Sequence, residues 1–352
     1  MSSQTPPPTM RAWIFSSRGP PRRVLILAPS HPTPSAPTGS SLLIRISHAA
    51  LNPAGPVLMT LFPSFVRPKF SIPDLDFSGT VLQCGPSAPS KYKLGTRVFG
   101  SLIPAKAVLS GKGVLAEYIV VDEETAPMGV VPDGMEMSDA AGLGSCGQTA
   151  MFLCRRAGVK EGDRVLVNGA SGGVGTMTVQ VAKAMGASFV VGVCSGRNED
   201  IVKNIGADDV VDYQTHQPVH EYLARKYGEQ QFDVILDTVG SQGLYENSPR
   251  HLKIQGIFVN VGSMEGLIWT VWCWLKNTWW PSFLGGVPRK YCMFSTVFNQ
   301  KTADLVAKHA TEGKLKAVVS EVLEMEDALK VCGRTLLLDD ADGVSIRATT
   351  SS

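Results

Sequence analysis

A run of small residues, Gly169 to Gly175, directly follows the apolar segment Val165–Val167. It reads GASGGVG and contains the spacing A-x-G-x-x-G, with Ala170 at the first position. The apolar segment is typical of a buried strand, and residues 176–185 carry apolar side chains at helical spacing. A strand, a glycine turn and a helix together bind the pyrophosphate of a dinucleotide, because the backbone approaches it closely and the helix N-terminus offers N–H groups. We therefore predict cofactor contacts from the turn, while a purely structural turn is the alternative. The predicted contacts are Ser171, Gly172, Gly173, Val174 and Gly175.

The choice of nucleotide depends on the residues about 20 positions beyond the glycines, where an NAD site carries an acid. That place is held by Cys194-Ser195-Gly196-Arg197-Asn198, which contains no acid. Ser195 can donate a hydrogen bond, and the guanidinium of Arg197 can pair with a 2′-phosphate. These residues predict NADPH. Alternatively, Arg197 is a solvated residue at the start of a helix, as the nearby Glu199 and Asp200 would suggest.

Strand and helix patterns alternate between residue 164 and residue 261, which predicts a parallel sheet with right-handed crossovers. The nicotinamide ring is expected beyond the carboxyl ends of such strands. Thr238 and Val239 follow the fourth strand, and Val261 and Gly262 follow the fifth. We predict that these four residues lie near the ring, with ordinary strand-end packing as the alternative.

The first 128 residues instead contain many short strand patterns separated by Pro/Gly turns, which indicate a β-rich, barrel-like domain. We predict a hairpin from strands at 10–15 and 24–27, and loops at 29–39 and 54–75. Two helical patterns and a final apolar run occupy residues 302–338.

Composition excludes several classes of protein. The 352 residues are 44% hydrophobic and 18% charged, and the net charge of +2 comes without a long basic run, so nucleic acid is not expected as a partner. The seven cysteines form no C-x-x-C pair, which favours reduced thiols. The Pro/Ser/Thr-rich N-terminus has neither an apolar signal core nor an Arg-rich presequence. We therefore expect a cytoplasmic protein.

Seven short motifs together resemble the medium-chain dehydrogenase/reductase superfamily. They begin at Ala116 (AEY), Gly147 (GQTA), Gly162 (GDRVLV), Ala170 (ASGGVG), Gly206 (GADDV), Phe232 (FDVILD) and Glu312 (EGKLK). The resemblance implies an α/β fold, in which a Rossmann domain with a doubly wound parallel sheet joins a β-rich GroES-like catalytic domain. The implied boundaries are residues 1–128 with 299–352 for the GroES-like domain and 129–298 for the NADP-binding domain.

Zinc-dependent members of that superfamily carry a G-H-E motif and a cysteine after the first long strand. Here the motif aligns with Asp74-Leu75-Asp76, and no cysteine stands near Asn52-Pro53. A catalytic zinc needs about three protein ligands, and leucine is not one. The resemblance is therefore to the zinc-independent quinone oxidoreductase and enoyl reductase branch, and no metal is expected.

The resemblance also suggests roles for individual residues. Asn52 lies where zinc enzymes keep a metal ligand, and it becomes the candidate donor to a substrate oxygen that gains negative charge; an Asn before proline is also a common turn residue. Thr149 resembles a nicotinamide contact. Tyr213 lies where relatives contact the adenosine end, although it is equally typical of a half-buried strand end.

Five of the six tryptophans fall between residues 269 and 280. We predict that Trp269 and Trp272 wall a pocket for a bulky apolar substrate or contribute to a subunit contact. Peripheral contact with a membrane surface and ordinary core packing are the alternatives. Residues 291–294 resemble the strand that pairs across a homodimer in this superfamily.

From these observations and the resemblance we predict an NADPH-dependent reductase that transfers hydride to a quinone or an α,β-unsaturated carbonyl without zinc. A pathway-specific enoyl reductase of secondary metabolism is one alternative. The other is an NADPH-binding protein without turnover that is membrane-associated or acts as a scaffold.

Overall fold

The chain is described by a computed structural model that covers residues 5–261, 267–293, 298–331 and 343–347. The strands are β1 (Thr9–Ile14), β2 (Ile26–Pro32), β3 (Leu42–Leu51), β4 (Asp76–Cys84), β5 (Arg97–Ser101), β6 (Tyr118–Val121), β7 (Met128–Val130), β8 (Arg164–Asn168), β9 (Phe189–Cys194), β10 (Asp209–Asp212), β11 (Phe232–Asp237), β12 (Leu252–Asn260), β13 (Lys290–Met293), β14 (Val319–Glu324) and β15 (Gly343–Arg347). The helices are α1 (Pro21–Val24), α2 (Ala54–Leu61), α3 (Pro104–Ser110), α4 (Met137–Ala141), α5 (Ser145–Ala157), α6 (Gly173–Ala184), α7 (Glu199–Asn204), α8 (Val219–Tyr227), α9 (Gln242–Glu246), α10 (Leu267–Trp279), α11 (Gln300–Thr311) and α12 (Ala328–Val331).

Two compact units divide the chain. The first contains Met1–Gln148 and Val297–Ser352, and the second contains Thr149–Thr296. The predicted boundary after residue 128 lies 20 residues before this division. The difference has a physical cause: β7 pairs with β5, and α4 packs on β3 and β4, so the residues that follow 128 still contact the first sheet.

The first unit is built on a mostly antiparallel sheet with the strand order β14-β15-β3-β4-β5-β7, and β6 also pairs with β3. Strands β1 and β2 form a separate antiparallel pair. Strand β3 is buried along nearly its whole length, as expected for a strand covered on both faces. Its side chains join a core that includes Ile44, Phe77, Val98 and Met128.

The second unit is a parallel sheet with the order β10-β9-β8-β11-β12-β13. The chain runs outward from β8 to β10 and then returns to β11 on the other side of β8, so the strand order reverses between β8 and β11. Ligands of open α/β sheets bind outside the carboxyl ends of the strands at such a reversal. The register places Asn168, Asp237 and Asn260 side by side at this end.

Local predictions for the first unit were wrong in three places. Residues 54–61 form α2 within a segment predicted as loop, because Pro53 and Pro56 resemble breakers but lie at the helix start, where proline is tolerated. The second predicted hairpin strand begins with a turn of helix, α1, and β2 then continues to Pro32 through residues predicted as loop. Helix α3 was not predicted; it also begins with a proline, Pro104.

No helix among the described residues is both long enough and apolar enough to cross a membrane.

Candidate dinucleotide and substrate-polarising sites

The glycine turn brings the start of α6 against the end of β8. Gly169 has a φ of +77°, a conformation that favours glycine. A Cβ atom on Gly175 would lie 1.9 Å from the carbonyl oxygen of Gly169, so any side chain at Gly175 would force the helix away from the strand. Gly172 is the N-cap and offers no side-chain acceptor to the first turn. The first N–H groups of a helix have no intrahelical acceptor, and this cradle therefore fits a pyrophosphate.

Ala170 stands where the usual motif has its first glycine, and the neighbouring strand makes room for its methyl group. The backbone N–H of Ala170 donates to the carbonyl of Val193 on β9 at 2.9 Å. A Cβ atom on Gly192 would lie 2.9 Å from the Cβ of Ala170. The extra methyl in the turn is thus compensated by a missing side chain on β9.

Asp237, at the end of β11, organises the loop beside the glycine turn. Its buried carboxylate accepts hydrogen bonds from Asn168 Nδ2 at 2.8 Å and from three successive backbone N–H groups, at 3.0, 3.0 and 2.7 Å. These three donors are Val239, Gly240 and Ser241. Burial raises the pKa of Asp237, and the four hydrogen bonds oppose that rise. The sequence analysis missed this role, although an acid that ends an apolar strand was a signal for it.

Three of the predicted nicotinamide contacts, Thr238, Val239 and Val261, lie at this same end of the sheet. The hydroxyl of Thr238 donates to the carbonyl of Asn168 at 2.8 Å, while the side chain of Val239 is 39% exposed. Val261 is half-buried after β12, and its N–H donates to the Asp237 carbonyl at 3.3 Å. Thr149 is buried on α5. Gly262 lies outside the described residues.

The predicted 2′-phosphate end is formed by the ends of β9 and β10. Ser195 is buried directly after β9, and Arg197 is exposed in the following turn. The N–H of Tyr213, just past β10, donates to the carbonyl of Cys194 at 3.1 Å. The register therefore brings Ser195 and Tyr213 to one edge of the sheet, and their contact with the cofactor stays a prediction.

An acid also lies at this edge, although none occurs in the segment 194–198 that follows the second strand. The carboxylate of Asp212, on β10, accepts a hydrogen bond from the N–H of Gly196, and it also accepts from Gln214 N at 2.9 Å. Backbone hydrogen bonds, chiefly the one from Gln214, lower the pKa of Asp212. The prediction of NADPH depended only on residues that follow the second strand, whereas this acid comes from the third strand.

In the first unit, Asn52 is fixed by its neighbours. Its side-chain oxygen accepts from Ala54 N at 3.1 Å, and its Nδ2 donates to Asp76 Oδ2 at 3.1 Å. An amide nitrogen carries two N–H donors, so one remains for another acceptor. Both interpretations of Asn52 thus coexist in its geometry: the oxygen forms the turn, and the nitrogen offers a donor.

Asp76 is the second partner that the sequence analysis missed. Its carboxylate also accepts from Ser145 N at 3.0 Å and forms a short hydrogen bond with the Ser145 hydroxyl. Burial raises the pKa of Asp76 to about 6, and the hydrogen bonds from Ser145 and Asn52 oppose the rise. Leu75, at the position of the histidine in zinc enzymes, is buried in the apolar core. The described residues contain no group of three His, Cys, Asp or Glu side chains able to hold a metal.

The predicted pocket residues lie on α10. Trp269 is 44% exposed and Trp272 is 56% exposed. The tryptophan segment therefore forms an apolar helix with largely exposed side chains, and its role stays a prediction.

Comparisons with known proteins agree with this architecture. A family described as zinc-binding dehydrogenase matches residues 173–272. A medium chain reductase of Acremonium sp. is 38% identical over 348 residues, which cover 93% of this chain and 95% of that protein. A trans-enoyl reductase of Penicillium oxalicum is 32% identical over 91% of this chain and 93% of its own length.

Among solved structures, the quinone oxidoreductase from Coxiella burnetii superposes with a TM-score of 0.75 at 23% identity, covering 97% of this chain and 99% of that one. This likeness concerns the fold, and it confirms the predicted combination of a Rossmann domain with a GroES-like domain. The chain belongs to the medium-chain dehydrogenase/reductase superfamily, in its quinone oxidoreductase and enoyl reductase branch.

Proposed function

We propose that this oxidoreductase is an NADPH-dependent reductase that transfers hydride to a carbon–carbon double bond conjugated to a carbonyl, without zinc. The carrying observation is that the chain combines a dinucleotide cradle with a half-buried amide donor, Asn52, held in place by a buried carboxylate. The name of the Penicillium relative, a trans-enoyl reductase, favours an enoyl acceptor. A quinone is the second candidate, favoured by its chemistry, since it is also a conjugated carbonyl.

The residues of the second unit would hold the cofactor through its backbone donors and strand ends. The N–H groups of Ser171, Gly173, Val174 and Gly175 would face a pyrophosphate, whereas the N–H of Gly172 donates to the Gly169 carbonyl at 3.1 Å. Asp237 keeps Thr238 and Val239 in place for the nicotinamide. Thr149, Val261 and Gly262 complete this proposed set. The reduced nicotinamide supplies the hydride when it is bound.

The preference for NADPH is supported by Arg197 and Ser195 and opposed by Asp212. We propose that Arg197 prevails. The Asp212 carboxylate is already engaged by Gly196, Gln214 and Thr215, which spread its charge over local donors. Arg197 is exposed, and its planar fork suits a phosphate. Tyr213 would lie beside the adenosine end.

Asn52 provides the polarising contact in the first unit. We propose that its second N–H donates to the substrate carbonyl oxygen, which gains negative charge as the double bond is reduced. Zinc would need ligands in this region, but the sequence supplies Leu75 where the histidine would stand. The protein therefore polarises the acceptor with an amide rather than with an ion.

The exposed apolar helix α10 supports a bulky apolar substrate, and we assign Trp269 and Trp272 to its pocket. The other assignments for this segment are a subunit contact in a homodimer, together with β13, and peripheral contact with a membrane surface.

The purified chain should oxidise NADPH steadily with a panel of enones and quinones, as followed by the loss of nicotinamide absorbance. We expect turnover with at least one bulky enone, saturable NADPH binding, and unchanged rates after treatment with a zinc chelator. NADPH binding without oxidation across the panel would favour a protein without turnover. Stoichiometric zinc whose removal abolishes activity would overturn the metal-free proposal.

A further inference from the structure

A cavity of about 30 Å³ in the first unit is lined by Arg67 and Asp74, two buried side chains that each carry polar atoms without a hydrogen-bond partner. Arg67 is 7% exposed and Asp74 is 4% exposed. None of the Nε, Nη1 and Nη2 atoms of Arg67 has a partner among the described residues, and neither does Oδ1 of Asp74. Apolar side chains form most of the remaining wall, among them Phe15, Leu58 and Met59.

The unpartnered guanidinium indicates a missing acceptor. The Phe15 ring lies 4.2 Å from the guanidinium carbon of Arg67, and this contact covers the face of the group, whereas its N–H donors lie along the edge. Burying donors without acceptors destabilises the folded protein. Burial also lowers the pKa of Arg67. An anionic acceptor in the plane of the guanidinium would satisfy these donors.

Asp74 is held in the cavity wall by an unusual backbone. Its φ is +65°, a conformation that is strained for a residue other than glycine and that is common at functional sites. A Cβ atom on Gly55 would lie only 2.2 Å from Asp74 Oδ1, so the absence of a side chain on α2 makes room for the carboxyl group. Two local features thus place Asp74 at this cavity.

We propose that the cavity between Arg67 and Asp74 binds the carboxylate of a small molecule with an apolar tail. A guanidinium pairs with a carboxylate through two parallel hydrogen bonds. A cavity of this size holds about two water molecules, and the two oxygens of one carboxylate take their place. A planar carboxylate with two oxygens matches this volume better than a tetrahedral phosphate with four. The wall includes exposed Lys112 and half-buried Val108, so the cavity reaches the surface and leaves a path for the tail.

Asp74 gives the proposed site a distinctive pH response. Burial, and then the charge of Asp76, raise the pKa of Asp74 to about 8. Below that pH the protonated group donates to a bound carboxylate, and above it the ionised group repels the ligand. The other charged groups at the site are Arg67 and Lys112, and the Lys112 ammonium donates to the carbonyl of Val120. We assign the pH response to Asp74, and the Asp74→Asn variant tests this assignment.

Titration calorimetry of the full chain with sodium hexanoate tests the proposal, with hexanamide as a neutral ligand of the same shape. We expect saturable binding of hexanoate, at least tenfold weaker binding of hexanamide, and at least tenfold loss of hexanoate affinity in Arg67→Met. Arg22→Met removes an exposed arginine outside the cavity and should leave the affinity unchanged. Equal binding by wild type and Arg67→Met, or no binding of hexanoate, would overturn the proposal.

Asp74→Asn keeps the test decisive if Arg67→Met does not fold. The amide is always neutral and always a donor. Wild-type affinity for hexanoate should therefore fall several-fold between pH 7 and pH 9, whereas the affinity of Asp74→Asn should stay level. A parallel fall in both proteins would contradict the role of Asp74. None of these measurements involves a nucleotide or turnover, so their outcome is separate from that of the proposed reductase activity.

Discussion

The side-chain N–H of Asn52 donates to the buried carboxylate of Asp76 across 3.1 Å, and this hydrogen bond helps to fix the orientation of the amide. With Oδ1 already accepting from Ala54 N, the group cannot rotate without losing both contacts. Asp76 is in turn anchored by Ser145. The donor proposed for the substrate is therefore oriented before any substrate arrives, and such preorganisation is what makes hydrogen-bond donors effective in catalysis.

Asn52→Ala should lower kcat for an enone by about 10²-fold, the usual effect of removing one donor to a developing oxyanion. NADPH affinity should not change, because the substitution lies in the other unit. Asp76→Asn should give a smaller loss, since Asn52 is kept but its charged acceptor is replaced by a neutral amide. Steady-state kinetics with fluorescence titration of NADPH measure both effects. Unchanged kcat in Asn52→Ala would assign the residue to the turn alone.

Gly175→Ala should abolish measurable NADPH binding and lower the melting temperature. The new Cβ would lie 1.9 Å from the Gly169 carbonyl, so α6 must move away from β8. Gly243→Ala provides the matched control on α9, because the nearest atom to its Cβ would be 3.9 Å away. Thermal unfolding and NADPH titration of both variants compare a crowded glycine with an open one. Wild-type binding by Gly175→Ala would refute the cradle.

Asp237→Asn should destabilise the fold by about 1–3 kcal/mol, because the new amide directs N–H groups at backbone donors that need an acceptor. The loop at 238–241 then loses its anchor, so NADPH affinity should fall at least tenfold. Glu246→Gln removes one partner of an exposed ion pair with Lys276 and should change stability by less than about 1 kcal/mol. Urea unfolding compares the two variants. Equal stability would show that the Asp237 network is dispensable.

Arg197→Met should weaken NADPH binding at least tenfold and leave NADH binding nearly unchanged, because only NADPH carries the 2′-phosphate. Asp212→Asn should act in the opposite direction and improve the preference for NADPH by a few-fold, since it removes a negative charge beside Gly196. Competitive titrations of both nucleotides give the ratio directly. If Arg197→Met loses affinity for both nucleotides equally, the phosphate contact is disproved.

The contribution of Asp74 to the stability of the protein should fall as pH rises from about 4 to about 8. Its pKa is about 8 in the folded chain, compared with about 4 when unfolded, so only the folded state keeps the proton between these values. Asp76, raised to about 6, acts in the same direction at the lower end. The melting temperature of Asp74→Asn should therefore decline less than that of wild type between pH 6 and pH 8. An identical decline in the melting temperature of both proteins would show that Asp74 does not titrate between pH 6 and pH 8.

The parallel sheet could be predicted from sequence because its strands are short apolar runs, such as Val165–Val167, separated by helical patterns. The β-rich unit was predicted as a class, but α2 and α3 were missed because their prolines lie where helices begin. Contacts that depend on register could not be predicted. Asp212 reaches Gly196 only through the pairing of β10 with β9, and Asp76 reaches Asn52 only through the pairing of β4 with β3. Arg67 gave no signal at all, since burial of a lone arginine is a property of the assembled unit.

The methyl group of Ala170 lies over the bare backbone of Gly192. The turn and strand β9 therefore share the space that a dinucleotide turn needs. A motif search that requires glycine at all three positions misses turns of this kind. A search that allows alanine at the first position together with a glycine on the adjoining strand would find them. For protein engineers, position 192 is bounded by two side chains: a Cβ atom there would lie 2.5 Å from Val202 Cγ1 and 2.9 Å from the Cβ of Ala170, so a larger residue at 192 needs room from both neighbours.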